Sequence, residues 1–511
     1  MARFIDTHYD QTKMIPVSFD RQILPGSFEF SLSQLIDHYI DLSPFEARFK
    51  NSDNGRPAYH PAVLLKIIIL AYAKGITSSR KIEQLCRDNV LFIAISADSQ
   101  PHFTTLADFV SSSHEPIADL FQQIVLICDD LGLIGREMFA IDGCKMPSDA
   151  SKEWSGKKAD LKKKRQKIDR AVRYILKKHQ ETDQRNLDET IIDREKEQIR
   201  KLRKASRKIQ RFLDENEERI GASGKPVQSN ITDNESAKMK TSHGVIQGYV
   251  GVAAVDDEYQ VILEAEAFGQ GQEHNLLKPM VEGVRKVLKE EEQAKPTLTE
   301  TKVLADSGYH SEKTLKYLSD EEIDGYIADP GFRARDPRFK EYKRYKPEER
   351  LKPKERFVRD DFKYSLRKKS CRCPAGHAMW LKAKEAKIGH HLFMQFQAYE
   401  KDCTSCTLRK RCLKSEHQKS ARQIHIKLGV TEEHKEGLIE QMKRKIDGDQ
   451  GRSIYCRRLG IVEPVFGNIG GSIGIKRFSL RGRKKVNGQL KLMSLLHNML
   501  KIHRYGELCE G

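Results

Sequence analysis

Residues 302–311 read KVLADSGYHS, a short apolar strand that ends in Asp306 and continues into a turn containing Gly and Ser. Residues 139–146, FAIDGCKM, have the same form around Asp142. Either aspartate alone could be an ordinary turn or helix-cap residue. If both strands belong to one sheet and lie side by side, however, their carboxylates converge at one sheet edge. These two stretches therefore predict the centre of an α/β fold.

A third acidic stretch, residues 460–470, reads GIVEPVFGNIG and places Glu463 among apolar residues flanked by Arg and Lys. Pro464 follows it directly, which predicts that a helix begins there, and Glu463 could simply be a charge at that helix N-terminus. If the helix instead packs back against the sheet, Glu463 joins the two aspartates. Two aspartates and a glutamate offer the oxygen ligands that two Mg²⁺ ions need to clamp the attacking and leaving oxygens of a phosphodiester.

The composition favours a polyanionic partner. The 511 residues include 91 Lys and Arg against 73 Asp and Glu, a net charge of +18, and nucleic acid is the simplest partner for such a surface. An ordinary basic protein has the same composition. No apolar run reaches the length of about 18 residues that spanning a bilayer requires, and the N-terminus has no apolar signal core. We therefore expect a cytoplasmic protein with no membrane contact, whose ten cysteines are thiols or metal ligands.

The N-terminal 135 residues show helical periodicity. Apolar residues recur from Val63 to Ala71, Gly75 interrupts the pattern, and Ser78 or Ser79 could cap a second helix. A third helix is predicted near Thr104. Helix, glycine turn and helix is a helix-turn-helix pattern, although many helix pairs that never touch DNA share it.

The middle of the chain divides into a basic part and a strand-rich part. Residues 157–219 are rich in Lys and Arg with sparse apolar positions, which predicts two long basic helices folded as a hairpin. The hairpin could clamp a DNA backbone or be a solvated charged coiled coil. Residues 244–270 then predict two strands joined at Asp256–Asp257. The order that follows is helix, strand, helix and strand, ending near Pro330.

Residues 332–369 alternate cations with aromatic side chains, as in single-stranded nucleic-acid surfaces, although a linker is an alternative. Five cysteines follow between residues 371 and 412. Their spacing can supply a tetrahedral thiolate site for structural zinc, with redox chemistry as the weaker alternative. The expected ligands are Cys373, Cys403, Cys406 and Cys412, and Cys371 or His377 could substitute for one of them.

The AIDG, ADSGYHS and VEPVFGNI segments resemble those of the IS1182-like branch of the IS5/IS4 group of bacterial insertion-sequence transposases, and the resemblance covers nearly the whole chain. It implies a DDE catalytic core of ribonuclease H-like fold, in which a mixed sheet is flanked by helices. It also implies an all-α N-terminal domain, an inserted helical hairpin and a small zinc-ribbon-like insertion. The predicted boundaries are 1–135 for the helical DNA-binding domain, 136–156 and 221–331 for the first part of the core, 157–220 for the basic hairpin, 332–425 for the cysteine-rich insertion and 426–511 for the part of the core that carries Glu463.

The resemblance also implies the chemistry. Asp142, Asp306 and Glu463 are the expected catalytic residues and the ligands of Mg²⁺ or Mn²⁺. The chain departs from the Tyr, Arg, Glu and Lys spacing of the IS4 group, because Tyr455 and Arg458 keep their interval while Glu463 comes one residue late. The basic residues expected to bind DNA are Arg452, Arg458, Lys476, Arg477, Arg481 and Lys484.

The expected function is a DNA transposase that binds the terminal inverted repeats of its element, cuts the ends and joins them to target DNA. We expect a homo-oligomer, a dimer by analogy, acting on double-stranded DNA in a bacterial cytoplasm at the nucleoid. Two alternatives remain open. A metal-dependent nuclease would cut without joining, and a catalytically silent regulator derived from a transposase would only bind DNA.

Overall fold

The structure, a computed structural model, describes residues 18–49, 57–182, 189–221, 224–289, 301–339, 357–388, 391–413, 418, 420–430 and 437–507. These residues form two compact units, one from the segments 1–330 and 448–511 and the other from 331–447. Of the basic aromatic stretch predicted at 332–369, residues 340–356 lie outside the described residues. None of the described helices is both long and apolar enough to cross a membrane.

The first unit begins with helices, as the periodicity predicts. The predicted helices after residue 60 are present, Ser78 is the N-cap residue of the second of them, and Gly75 between them has a φ of +73°, which favours glycine. The eight helices are α1 Phe19–Gln22, α2 Phe28–Gln34, α3 Ser43–Glu46, α4 Pro61–Ala73, α5 Ser79–Asp88, α6 Val90–Ile95, α7 Phe103–Ser112 and α8 His114–Asp130.

A six-stranded mixed sheet forms the centre of this unit. The strands are β1 Met138–Pro147, β4 Ala237–Thr241, β5 Gly244–Asp256, β6 Ile262–Phe268, β7 Lys302–Ala305 and β8 Gly325–Ile327, while β2 Ser155–Gly156 and β3 Ser229–Asn230 form a separate short ladder. Neighbouring strands of the sheet follow the order β4-β5-β1-β7-β8, and β6 also pairs with β5. The β1–β5 and β5–β6 pairs are antiparallel, whereas β1–β7 and β7–β8 are parallel.

Two pairs of helices accompany these strands. The predicted basic hairpin consists of α9 Lys158–Thr182 and α10 Glu189–Glu215. These helices pack on each other with a small core that includes Leu161, Ile209 and Phe212. Helices α11 Leu277–Lys289 and α12 Glu312–Asp320 precede and follow β7, as expected.

The second unit has its own elements, which are α13 Phe332–Arg335, β9 Lys363–Ser365, β10 Ser370–Arg372, β11 Ala378–Ile388, β12 His391–Gln397, α14 Glu400–Thr404, α15 Arg409–Cys412, β13 Gln423–Val430 and α16 Leu438–Asp447. Its five strands form one sheet in the order β13-β12-β11-β10-β9, with antiparallel pairs throughout. The sequence placed the end of this insertion at residue 425. In the structure β13 pairs with β12, so the unit continues to Asp447.

The chain then returns to the first unit with α17 Asp449–Gly467 and α18 Arg483–Tyr505. The prediction that a helix begins at Pro464 is wrong, because Pro464 lies inside α17 near its C-terminal end. A proline there removes the hydrogen bond to the carbonyl four residues earlier. That carbonyl, on Gly460, instead accepts a 2.9 Å hydrogen bond from the side chain of Gln260. A tertiary contact therefore satisfies the acceptor that proline leaves open.

Helix α18 packs against β6 and α8, and most of its residues between Val486 and Met499 are buried. Its His497 is 2% exposed and lies 2.9 Å from the side chain of Asn468 and 3.0 Å from the carbonyl oxygen of Gln260. Burial, together with the nearby charge of Lys501, lowers the pKa of His497 from 6.5 to about 4. The imidazole is therefore neutral in the folded protein at neutral pH.

We expect this histidine to make the fold sensitive to acid. As pH falls from 6.5 towards 4, only the unfolded chain takes up the proton, so His497 should lower the free energy of unfolding by about 2 kcal/mol between pH 7 and pH 5. Urea unfolding at both pH values measures this in the wild type and in His497→Gln, which keeps polar atoms but does not titrate. An equal loss of stability in the two proteins would contradict the expectation.

Candidate active site

The parallel pairing of β1 and β7 sets the position of the two aspartates. The last paired residues are Ile141 and Ala305, so Asp142 and Asp306 are the next residues on adjacent strands. The sequence predicted this neighbourhood, and the strand pairing confirms it. The three residues before each aspartate are apolar and buried, and the carboxylates therefore emerge together where the β1–β7 pairing ends.

A buried arginine joins the two carboxylates. Arg458, on α17, is only 6% exposed. One Nη atom donates a hydrogen bond to Asp142, and the other lies 3.5 Å from Oδ1 of Asp306. The sequence assigned Arg458 to DNA binding, but its guanidinium is buried against this acidic pair. Helix α17 therefore places a cation beside the two aspartates.

The pKa values of Asp142 and Arg458 reflect the closeness of these charged side chains. Burial raises the pKa of Asp142, and the charge of Asp306 raises it further, while Arg458 and the backbone N–H of Gly143 oppose the shift. The pKa of Arg458 is raised because the charges of Asp142 and Asp306 outweigh the effect of its burial. Like charges brought together away from water need a compensating cation, and Arg458 supplies one.

Glu463 lies elsewhere on the helix surface. It comes five residues after Arg458, which places it about 140° further around a helix of 3.6 residues per turn. Its side chain is exposed and forms no ion pair with the described residues. The assignment of Glu463 as the third catalytic carboxylate thus stays a prediction.

A different glutamate lies at the site. Glu273, between β6 and α11, is half-buried, and its pKa is raised first by burial and then by the charges of Asp142 and Asp306, while Lys145 opposes the shift. Sequence analysis missed it because the segment QGQEHN has no periodicity and no strand ending in an acid. The only signal available was an acidic residue in the loop before the helix that precedes Asp306.

The other predicted DNA-binding residues lie outside this cluster. Arg477 and Arg481 are exposed and both pair with Asp149, at 3.2 and 2.6 Å. Arg452 lies 3.7 Å from Asp449, one turn earlier on α17. Lys476 and Lys484 are exposed. Lys476, Arg477, Arg481 and Lys484 therefore face solvent, whereas Arg452 is half-buried.

The second unit holds the cysteine cluster. The four predicted ligands, together with His377, line one cavity of about 20 Å³. The Cys373 carbonyl accepts a 2.8 Å hydrogen bond from the N–H of Gly376, whose φ of +87° permits the tight turn. Burial raises the pKa of Cys412, and the nearby thiols of Cys403, Cys373 and Cys406 raise it further. Cys371, named as a possible substitute, is buried in the core of this unit with its sulfur 3.7 Å from that of Met379.

In neither cluster do the side chains converge on a single metal position. Across the described residues, no three His, Cys, Asp or Glu side chains are arranged as the ligands of a metal ion. At the acidic cluster, Arg458 already occupies the space beside both aspartates. The donor chemistry nevertheless fits each kind of ion: carboxylate oxygens suit Mg²⁺ and Mn²⁺, and thiolates suit zinc.

Two family models match the chain, one towards each end. The model described as "Transposase domain (DUF772)" matches residues 17–112, and the model described as "Transposase DDE domain" matches residues 372–503. Asp142, Glu273 and Asp306 lie between the two matches. Comparisons with curated proteins and with solved structures found no match. Both matches are to transposase domains, and together they indicate an insertion-sequence DDE transposase of the IS1182-like type.

Proposed function

We propose that this transposase binds the terminal inverted repeats of its element and catalyses DNA strand cleavage and strand transfer at Asp142 and Asp306. The observation that carries the proposal is the parallel register that sets these two carboxylates side by side, with a buried cation across them. The strand order, with β1 central between an antiparallel hairpin and two parallel strands, supports a ribonuclease H-like core.

Some residues of the chain would hold the metal ion, and others would bind the DNA. Asp142 and Asp306 would hold Mg²⁺ or Mn²⁺, which when bound activates the attacking oxygen and stabilises the leaving one. Arg458 orients both carboxylates and offsets their repulsion. The backbone N–H of Gly143 donates to Asp142 and fixes one of its oxygens. No covalent enzyme intermediate is needed, so no nucleophilic side chain is proposed. Glu463 remains the third carboxylate proposed from the family pattern.

The basic surfaces would position the DNA. The lysines and arginines of α9 and α10 and the exposed Lys476, Arg477, Arg481 and Lys484 can neutralise phosphates without reading bases. The helices of the N-terminal match would read the terminal repeats, in keeping with their helix-turn-helix order. We propose a dimer on DNA by analogy with other transposases.

Strand joining is the decisive test of this function. The full chain is incubated with Mg²⁺, a labelled duplex carrying the element's terminal inverted repeat, and a supercoiled target plasmid. We expect cleavage at the repeat end and covalent joining of that end to the plasmid. Cleavage without joining would identify a nuclease instead, and binding alone would identify a regulator. Scrambled repeats are the control.

We also propose that Cys373, Cys403, Cys406 and Cys412 hold a structural zinc ion. Their shared cavity has about the volume that one atom-sized guest requires, and the glycine turn after Cys373 presents the thiol in the manner of a zinc knuckle. Binding would stabilise a unit with a small apolar core.

Removing one of these thiols should release the metal. We expect one zinc per chain in the purified protein and much less in Cys406→Ser, because three ligands bind far more weakly than four. Elemental analysis and thermal unfolding measure the two effects. Cys371→Ala is the matched control, since Cys371 lies outside the cavity, and it should keep its zinc. A zinc-free wild type that unfolds at the same temperature with and without chelator would contradict the proposal.

A further inference from the structure

The carboxylate of Glu273 lies against both glycines of the aspartate segments. A Cβ atom built on Gly308 would be 2.7 Å from Oε2 of Glu273, and one built on Gly143 would be 3.5 Å from Oε1. Neither glycine has a positive φ, so backbone conformation does not require glycine at either position. At Gly308 this carboxylate is the nearest group, whereas at Gly143 the side chain of Val250, at 2.9 Å, is nearer. The glycine two residues after Asp306 therefore leaves the space that Glu273 fills, and the glycine after Asp142 borders the same carboxylate.

The buried hydroxyl of Tyr309 lies beside the same glycine, Gly143. Tyr309 is fully buried, and its Oη lies 3.4 Å from the position of a Cβ on Gly143. No hydrogen-bond partner for this oxygen is found among the described residues. A buried hydroxyl left unpaired costs about 1–3 kcal/mol, so an oxygen-bearing group bound beside it would stabilise this position.

The local charges favour a cation between these groups. Burial raises the pKa of the Tyr309 hydroxyl well above its ordinary value, and the charges of Glu273, Asp142 and Asp306 raise it further. Arg458 contacts the two aspartates but not Glu273, and no described residue forms a hydrogen bond or a close ion pair with the Glu273 carboxylate. Three acids therefore share the site, and one of them lacks a direct partner.

We propose that Glu273 is a carboxylate ligand of the divalent cation held by Asp142 and Asp306, and that Tyr309 donates its hydroxyl to an oxygen ligand of the same cation. This inference rests on the proposed function, since it adds a ligand to that site. It gives Gly308 and the buried tyrosine a common role, which is to place one further acid and one oxygen donor beside the aspartates.

Cation binding can be measured without DNA or turnover. Mn²⁺ is titrated into the full chain, and the free ion is followed by electron paramagnetic resonance. We expect Glu273→Gln, which keeps the side-chain size, to weaken binding at least about tenfold. Glu312→Gln, an exposed glutamate in the first turn of α12, is the matched control and should bind as the wild type does. Wild-type affinity in Glu273→Gln would overturn the inference.

A second set of variants keeps the test independent of folding defects in any one protein. Gly308→Ala places a methyl group against the Glu273 carboxylate and should also weaken Mn²⁺ binding. In a Glu273→Ala background the carboxylate is gone, so adding Gly308→Ala should cause little further loss. If Gly308→Ala weakens binding equally in both backgrounds, the glycine does not act through Glu273 and the inference fails.

Aspartate variants separate this inference from the function on which it rests. If Asp142→Asn and Asp306→Asn lose Mn²⁺ while Glu273→Gln retains it, Glu273 is not a ligand, but the proposed site stands. If all three retain Mn²⁺ as the wild type does, the proposed site itself is wrong. Terbium luminescence adds a check on Tyr309. A bound Tb³⁺ next to this ring should be sensitised by it, and Tyr309→Phe should reduce that emission.

Discussion

Replacing Asp306 with Asn is expected to lower strand cleavage and strand transfer on the order of a thousandfold or more, while DNA binding persists. The amide keeps the size of the side chain but removes the charge that would hold a divalent ion, and such an ion contributes several kcal/mol to the transition state. The exposed basic residues that would bind phosphates lie on other elements. Gel shift with the terminal repeat, beside a cleavage assay in Mg²⁺, measures both properties.

Asp142→Asn should behave in the same way, because Asp142 and Asp306 occupy equivalent positions on adjacent strands. The matched control is Asp320→Asn, an exposed aspartate at the end of α12 that should leave both assays unchanged. If Asp306→Asn still cleaves at a rate near that of the wild type, the assignment of this site to the chemistry is wrong. A loss of DNA binding in parallel with cleavage would instead indicate a folding defect, which circular dichroism would detect.

Replacing Lys491 with Met should lower the free energy of unfolding substantially. Lys491 Nζ lies 2.6 Å from Oε1 of Glu264, and both side chains are about nine-tenths buried. The ammonium also lies over the ring of Phe121, 4.8 Å from its centre. Removing it leaves the Glu264 carboxylate buried without its partner, a change that costs about 3–5 kcal/mol. Urea unfolding near pH 7 measures the difference.

The double variant Lys491→Met with Glu264→Gln is the control, because it removes both charges. The amide oxygen can still accept the 2.8 Å hydrogen bond from the backbone N–H of Ala265. We expect it to recover at least half of the stability lost in the single variant. If the double variant is as unstable as Lys491→Met alone, the loss comes from packing around α18 and not from an unpaired charge.

The sequence was most informative where structure is local. The strand that ends just before Asp306, the hairpin at Asp256–Asp257 and the helices around them all follow from periodicity within a few residues, and the structure contains each of them. The predicted end of the first strand at Asp142 is wrong, because β1 stays paired with β5 through Asp142 as far as Pro147. The side-by-side position of the two aspartate strands was expected from the resemblance to a ribonuclease H-like core, and the β1–β7 pairing shows it.

Contacts between distant segments were harder to predict. Pro464 predicts a helix start only if the carbonyl of Gly460 has no other partner, and Gln260, about 200 residues earlier in the chain, supplies one. The helix therefore extends through the proline, and its phase brings Arg458 to the aspartates. Neither the partner nor the phase can be read from the GIVEPVFG stretch alone.

The position of Glu273 also depends on contacts between segments that are distant in the sequence. A loop residue carries no periodicity, and its neighbourhood depends on where β6 ends and on how the glycines after both aspartates leave room for it. The end of the cysteine-rich unit was also misplaced. The pattern of β13 resembles a core strand, and only its pairing with β12 assigns it to the second sheet.

Iron-directed cleavage of the polypeptide tests the central claim most directly, namely that Asp142 and Asp306 hold the divalent cation. Fe²⁺ replaces Mg²⁺ in the full-length Cys406→Ser protein, which minimises binding at the cysteines, and ascorbate with peroxide generates radicals that cut the backbone near the ion. The account predicts cuts beside residues 142 and 306 that excess Mg²⁺ suppresses and that Asp306→Asn abolishes. Cuts confined to other parts of the chain, or cuts that persist unchanged in Asp306→Asn, would contradict it.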